Sequence, residues 1–499
     1  MSISTTPKSE HLQEFKTEKM SVPALFFMSQ DLLPEEQTFA QTEDIASNQD
    51  TFFKHTVAMP DVCSKPGRKN ASGTTIVSEK YILPQVNDSD PNCGMRLVKT
   101  SFNEENLSTQ DINTLFQELV KVVPTKKFVG TTVPFNTVVD ICRSGTSAII
   151  KHLSINTKNE LENTQCGGNF FDKEMTRQDI FDVIPKLYLH FAKYRLGIIG
   201  AAGNHFLDLM KVDEIVDESI AQKMGIKKGQ YLFMIHTGSG ILGQYTMYTH
   251  TAKKREHLSQ ALMVTLGKMT FNSKKKDVYR KMQAAIKKHM LKDDSLLKYD
   301  GNGPDGELYM NARAAASNFG TANRAVITHN IAQAIKRIFN RDAEMDLIYD
   351  LPHISITQEE HFGKNVWVHR SNTSRAYGPA KMPTHPIYKE TGEPAFIPSS
   401  MSTDAYICVG TDRNEQSFYS APHGTGKGKN DNEKSIDNKD ELFAKMEAKG
   451  IKLYNAQSSI VINQDSARYK NIDKVIEGVE ANGVAHVVAK MQPVAVLMY

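Results

Sequence analysis

One short stretch, NDSDPNCGMRL, sets a carboxylate, Asp90, three residues before a thiol, Cys93, with Pro91 between them and Gly94 behind. Proline and glycine fix a tight turn, so both side chains can aim at one point. A hard oxygen and a soft sulfur aimed together suit a metal ion. Taken alone, a half-buried cysteine in a structural turn is the simpler reading. Histidines change the balance. His205 follows the glycine-rich GAAGN, His236 ends an apolar run before TGSG, His353 closes YDLPH and His423 opens HGTGKG. Strand ends and the loops beside them are where a scaffold presents functional groups. Each histidine by itself is more simply a hydrogen-bonded structural residue; with Asp90 and Cys93 they predict one shared site. Imidazole, thiolate and carboxylate suit a divalent transition metal such as Zn²⁺ or Mn²⁺ rather than Mg²⁺. A bridging thiolate could hold two ions, as two-metal phosphoryl transfer requires. His329 falls within a helical pattern and is read as structural, and His369, in VWVHR, stays undecided.

The stretch HGTGKGK is not a Walker A loop: the first glycine of GxxxxGK[ST] would fall on Ala421, and Gly428 follows Lys427. What remains is a histidine, then Gly424 and Gly426, whose backbone N–H groups can approach phosphate, then Lys427. A neutral imidazole there could attack the α-phosphate of a nucleotide, while Lys427 and a nearby metal neutralise the departing pyrophosphate.

These groups need elements to hold them. After a polar, loosely ordered start, EEQTFAQTEDIASNQ reads as helix, and residues 59–100 hold short β runs such as TTIVSE and YILPQV. Residues 105–125 and 176–196 carry apolar residues at helical spacing. QYLFMIHTGSGILG reads as a strand entering a glycine turn, and a helical region follows from about 255 to 340. DLIYDLPHISI, NVWVHR, DAYICVG and QSFYSA read as strands, residues 427–442 as a charged linker, and AHVVAKMQPVAVLMY as one or two terminal strands. Without a regular βα rhythm, this predicts a mixed α/β (α+β) fold, one large core of short mixed strands with surrounding helices.

Composition narrows the class. A hydrophobic fraction of 40% and a charged fraction of 23% are ordinary for a globular protein. No apolar run approaches the roughly 20 residues that span a bilayer, so no membrane partner is expected. The start lacks the layout of a secretory signal. The 5 cysteines include no CxxC pair and are odd in number, which argues against a disulfide framework and for a reducing, cytoplasmic setting. Net charge is only +3, yet residues 251–300 hold 13 Lys/Arg against 5 Asp/Glu, a local balance of +8. That block is either a patch for phosphate backbones or a solvated helical insertion.

Further blocks fall into one order: MPDV (59–62), DPNCGMRL (90–97), LGIIGAAGNHFLDL (196–209), HTGSG (236–240), ANRAVI (322–327), YDLPH (349–353), VWVHR (366–370), IPSSMST (397–403), SFYSAPHGTGK (417–427) and ARYKNID (467–473). In these blocks the chain resembles the RtcB family of RNA ligases, from roughly residue 35 to the C-terminus. The resemblance implies a single RtcB-like catalytic domain over residues 1–499, with a basic helical insertion at about 251–300. It implies two Mn²⁺ ions held by Asp90, Cys93, His205, His236 and His353, the cysteine bridging them, and GTP as the source of a guanylyl group on His423. Asn204, Asp208, Ser400 and Tyr469 fall where the family contacts the guanine nucleotide, and Asp61 matches an aspartate that supports activity near the metals.

Family members join RNA ending in a 3′-phosphate or 2′,3′-cyclic phosphate to RNA with a 5′-hydroxyl. GMP moves from the enzyme to the RNA phosphate, and the hydroxyl then displaces it. The resemblance thus implies a GTP- and Mn²⁺-dependent RNA ligase of RNA repair or tRNA splicing. Its partners would be RNA with broken ends, tRNA among them, and an archease-type activator. Departures stand on the substrate side. Cys63 replaces a histidine after MPDV and is followed by an altered SKPGRKN. Gly240 replaces the arginine of HSGSR, which is thought to hold RNA phosphate. HGTGK replaces HGAGR, Asp208 a usual glutamate, and Met498 a terminal guanine contact. These changes leave open a metal-dependent phosphodiesterase or phosphatase of RNA ends, and a non-catalytic RNA-end binding protein.

Overall fold

The computed structural model describes residues 4–87, 90–125, 130–200, 204–251, 258–270, 277–278, 280–281, 284, 295–342, 344–428, 436–456 and 459–499. Among them, seven strands form one sheet in the order Thr6–Ser9, Leu12–Phe15, Ala24–Phe26, Thr56–Cys63, Ser72–Ser78, Lys364–Ser371 and Ile354–His361. A second sheet of eight strands runs Met345–Pro352, Gly94–Asn103, Gln230–Thr237, Phe206–Ile215, Ala485–Met498, Ala405–Gly410 and Pro394–Ile397, with Lys452–Tyr454 parallel to Ala485–Met498. Helices surround this mixed core, as the absence of a βα rhythm predicts. No helix among the described residues is long and apolar enough to cross a membrane.

His353 is the single residue between Met345–Pro352 in one sheet and Ile354–His361 in the other. The chain therefore changes sheet at a candidate ligand. In the second sheet, Gln230–Thr237 lies between Gly94–Asn103 and Phe206–Ile215, with His236 opposite Met95 on one side and Phe206 on the other. Cys93 and His205 stand just outside the starts of those two flanking strands, so this register brings all three groups to one end of the sheet.

The Ala-rich segment forms one helix, Pro304–Phe339, of 36 residues. Gly303 caps it, Pro304 opens it where its missing N–H costs nothing, and Asp305 and Glu307 meet the positive end of the helix dipole. Lys336 and Arg337 lie in the last turn, and Asn340 stops the helix in the left-handed conformation. The middle of this helix is buried almost all round, packed among the helices Phe135–Ser144, Thr109–Val122 and Ile241–His250 and against the strand Gln230–Thr237.

Local differences from the sequence reading have physical causes. The polar start is not loose: residues 6–15 form an edge hairpin, because Phe15 and Phe26 pack on Phe39 of the helix Glu36–Ala46. Residues 176–196 split into Arg177–Val183 and Lys186–Ala192, since Pro185 cannot continue the first helix. In QSFYSA only Ser420–Pro422 is strand, because Phe418 and Tyr419 take positive φ. The tail is one strand, Ala485–Met498, with a register shift at Pro493. The end of the supposed linker is helical, Lys439–Ala448, while residues 429–435 lie outside the described part. The basic block is described as the helix Leu258–Thr270 and the short strand Tyr299–Asp300; most of its charged residues lie outside the described part.

Candidate active site

Four donor atoms converge where the register predicts. Cys93 Sγ lies 3.3 Å from His205 Nε2 and 3.3 Å from His236 Nε2, and His236 Nε2 lies 3.3 Å from His353 Nε2. Neighbouring ligands on one metal stand about 3–3.5 Å apart, given metal–sulfur and metal–nitrogen bonds of about 2.3 and 2.0 Å. Among the described residues, Cys93, His236 and His353 form a group of ligand types whose donor atoms lie within 4.8 Å of one another. His205 Nδ1 donates to the Ile199 carbonyl at 2.9 Å, which fixes its tautomer and leaves the Nε2 lone pair facing the sulfur.

Electrostatics agree with a cation site. Burial holds the three imidazoles neutral: the His205 pKa is lowered to about 4, and those of His236 and His353 fall well below the ordinary histidine value. Neutral imidazole is the form that ligates. Burial, with the Asp90 charge beside it, pushes the Cys93 thiol up, so without a cation it keeps its proton. His353 Nδ1 is buried with no hydrogen-bond partner. A sulfur between two imidazoles with a third behind them fits a divalent transition metal. Asp90 stands slightly apart: one oxygen accepts from Ser239 Oγ and the other from the Gly240 N–H at 3.1 Å, and burial raises its pKa to about 6.

A buried ion network, not singled out in the sequence, holds this corner. Arg324, on the long helix, donates from Nε to both oxygens of Asp350 at 3.0 and 3.1 Å. Its Nη1 donates to the carbonyls of Asn92 and Thr237 at 2.8 and 2.9 Å. One guanidinium thus ties the cysteine turn to the strand bearing His236. Arg96 reaches Asp350 at 3.2 Å and also Glu160, so two cations meet two carboxylates with all four groups buried. Asn323 accepts from the Gly197 and Ile198 N–H groups at 2.7 and 3.2 Å, fixing the approach to His205. ANRAVI did carry a signal: an arginine flanked by Ala, Val and Ile implies a buried charge that needs a partner.

His423 stands against the cluster, its ring centroid 4.6 Å from that of His353. Its Nδ1 lies 2.6 Å from Asp61 Oδ2, which also accepts from the His423 backbone N–H at 3.3 Å. Asp61 thus belongs to the histidine rather than to the metal group. The carboxylate keeps the proton on Nδ1 and leaves Nε2 with its lone pair. The strand Thr56–Cys63 slips register between Ala58 and Cys63, which frees the Pro60 and Val62 carbonyls to accept from Lys470 Nζ at 2.7 and 3.0 Å. Gly426 has φ 72°, and a Cβ there would lie 2.3 Å from the Asp61 carbonyl oxygen. The HGTGK loop therefore crosses directly over Asp61, and only glycine permits it.

Two pockets flank the cluster. A cleft of about 410 Å³ is lined by Asp90, Cys93, His205, Ser239 and Arg195 among others, and a narrower one by Asp208, Ser400, Gln464, Tyr469 and Met498. Asn204 lines both. Asp208 Oδ1 is buried without a partner, and desolvation raises its pKa well above the ordinary carboxylate value. Ser400 Oγ lies 3.0 Å from Thr403 Oγ1. Lys427 Nζ sits 3.7 Å from the Tyr469 ring centroid, and burial lowers its pKa to about 8. Gln464 accepts from both Lys427, at 3.3 Å, and Tyr469. Gly424 borders Pro398, whose carbonyl oxygen would be 3.1 Å from a Cβ. His369 is structural: its Nε2 accepts from the Leu83 N–H at 2.9 Å, and its Nδ1 meets the Ile76 carbonyl at 3.1 Å.

A family model described as tRNA-splicing ligase RtcB matches residues 41–498. The chain belongs to the RtcB family. It is similar to the tRNA-splicing ligase RtcB of Pyrococcus horikoshii, 29% identical over 424 residues that cover 81% of this chain and 44% of that protein. The RtcB of Aeropyrum pernix is 26% identical over 498 residues, covering 96% and 95%. The RNA-splicing ligase RtcB homolog 1 of Entamoeba dispar is 27% identical over 526 residues, covering 98% and 90%. The chain spans less than half the length of the Pyrococcus relatives it matches. Against the RtcB pattern, Met498 and Asp208 face the same narrow pocket, and Gly240 opens the helix Ile241–His250 beside Asp90.

Proposed function

We propose that this protein is a GTP- and Mn²⁺-dependent RNA ligase joining 3′-phosphate or 2′,3′-cyclic-phosphate ends to 5′-hydroxyl ends. One observation carries the reading: His423, with Nδ1 held by Asp61, packs on His353 of the Cys93/His205/His236/His353 cluster, and the next two residues, Gly424 and Thr425, border Pro398 and Ser399 of the pocket that holds Asn204, Asp208, Ser400 and Tyr469. In the first step His423 Nε2 attacks the α-phosphorus of GTP, a phosphorus–nitrogen bond forms, and the bond to the departing pyrophosphate breaks. Asp61 stabilises the imidazolium that develops. Lys427 places positive charge beside the leaving group. At a cyclic end, water first adds to the phosphorus and the bond to the 2′-oxygen breaks, leaving a 3′-phosphate. A 3′-phosphate oxygen then attacks the guanylyl phosphorus as its bond to His423 breaks, and a 5′-hydroxyl oxygen attacks the activated RNA phosphorus, expelling GMP. A divalent cation bound at the cluster would neutralise phosphate charge throughout. Asp208, whose buried Oδ1 has no partner, can accept from a guanine N–H or, when protonated, donate to a guanine oxygen.

The test uses two oligoribonucleotides, one ending in a 2′,3′-cyclic phosphate and one starting with a 5′-hydroxyl. The expected outcome is a joined product that requires GTP, Mn²⁺ and His423. Opening of the cyclic end without any nucleotide, and no joining with it, would instead establish the phosphodiesterase reading. Salt-sensitive binding alone would leave an RNA-end binding protein.

A further inference from the structure

Gly240 takes φ 58° and ψ −122°, a conformation that side chains with a Cβ rarely adopt. The backbone here is thus committed to glycine. A Cβ built at this position would point toward Arg195, with Nε at 3.9 Å and Nη2 at 4.0 Å. The space that a side chain from residue 240 would enter already holds a guanidinium, delivered from a different part of the chain. Arg195 follows the helix Lys186–Ala192, and its backbone N–H donates to Ala192 at 3.0 Å. The next residues are pinned: Leu196 accepts from Thr131 at 2.7 Å, and Gly197 and Ile198 donate to Asn323. The guanidinium is therefore delivered by a fixed piece of backbone.

Arg195 shares its cleft with Lys65 and Arg68, and with the ligand-type residues Asp90, Cys93 and His205. Lys65 and Arg68 belong to the altered SKPGRKN segment, and Gln41 fixes that turn by donating to both of their carbonyls at 2.9 Å and accepting from the Lys65 N–H at 3.0 Å. Two separate departures, the segment after Cys63 and the glycine at 240, thus meet in one cleft, and both are accompanied by cations there.

We propose that Arg195, with Lys65 and Arg68 lining the same cleft, holds the phosphate-bearing 3′ end of the RNA, so that the cation missing at position 240 is supplied from position 195. The inference rests on the ligase reading for its substrate class. A guanidinium offers two parallel N–H donors that match two phosphate oxygens, whereas a 3′-hydroxyl end presents nothing equivalent.

The experiment measures binding of a labelled oligoribonucleotide to the full chain by fluorescence anisotropy, once with a 3′-phosphate and once with a 3′-hydroxyl, without nucleotide. The wild type is expected to prefer the phosphate end by about tenfold. Arg195→Gln should erase that preference while Arg195→Lys retains part of it, a pattern that a merely structural role would not give. Undiminished preference in Arg195→Gln overturns the assignment. In the unmutated chain, the 3′-phosphate RNA should slow phenylglyoxal modification of Arg195 and the 3′-hydroxyl RNA should not; equal modification with both also overturns it. Labelling of wild-type His423 by GTP, measured separately, distinguishes failure of this assignment from failure of the ligase reading.

Discussion

At the scale of single residues, the proposed chemistry depends on the tautomer of His423 and on the charge of Lys427. Asp61 fixes the His423 tautomer across 362 residues of sequence, so neither residue reveals the other along the chain. The residue types were legible: a histidine before small residues and a lysine could serve attack on a phosphate. Their pairing was not, because a contact so distant in sequence is set by the crossing of a loop over a bulged strand. Lys427 gives the prediction at this scale. Its ammonium is destabilised by burial, with a pKa of about 8 against an ordinary 10.5. In the free enzyme the charge is thus present below that pH and lost as pH rises through it. The second-order rate of His423 labelling, which reports free-enzyme groups, should decline above about pH 8. In Lys427→Arg the decline should move to higher pH. An identical alkaline limb in both proteins would show that this charge plays no part.

At the scale of elements, the site is built from three strand ends, one residue between sheets and one helix behind them. Period and turn signals placed most strands, and the histidines did fall at strand ends. The N-terminal hairpin was missed because its sequence is mostly polar; it adds to an existing sheet edge and is anchored by Phe15, with the outer strand left exposed. Asp350 and Arg324 were not singled out in the sequence, because their pairing exists only once the helix Pro304–Phe339 meets the strand Met345–Pro352. Removing one member of a buried ion network leaves the other uncompensated and costs about 3–5 kcal/mol. Arg324→Met should therefore lower stability by about that amount in urea unfolding. It should also weaken metal binding, since the same guanidinium holds the cysteine turn. A change below about 1 kcal/mol, the usual size for a single mutation, would mean that the network is not what holds this corner.

At the scale of the whole molecule, the ligand cluster lies where the two sheets meet, with His353 as the link between them and Asp61 reaching in from the seven-stranded sheet. A cation there would tie both sheets together. Binding to the folded state alone, at a hundredfold excess over Kd, stabilises by about 2.7 kcal/mol. Mn²⁺ should thus raise the melting temperature of chelator-treated protein in a concentration-dependent way, and Cys93→Ser should remove most of that rise. The uneven charge of residues 251–300 was plain in the composition, yet charge alone fixes neither a fold nor a partner, and most of that block lies outside the described residues. The most direct measurement is the mass of the intact chain after incubation with GTP and Mn²⁺, followed by mapping of any adduct. The account predicts a gain of one guanylyl group, located on His423 and formed far more slowly in Asp61→Asn. No adduct with any nucleoside triphosphate, or an adduct on another residue, would contradict it.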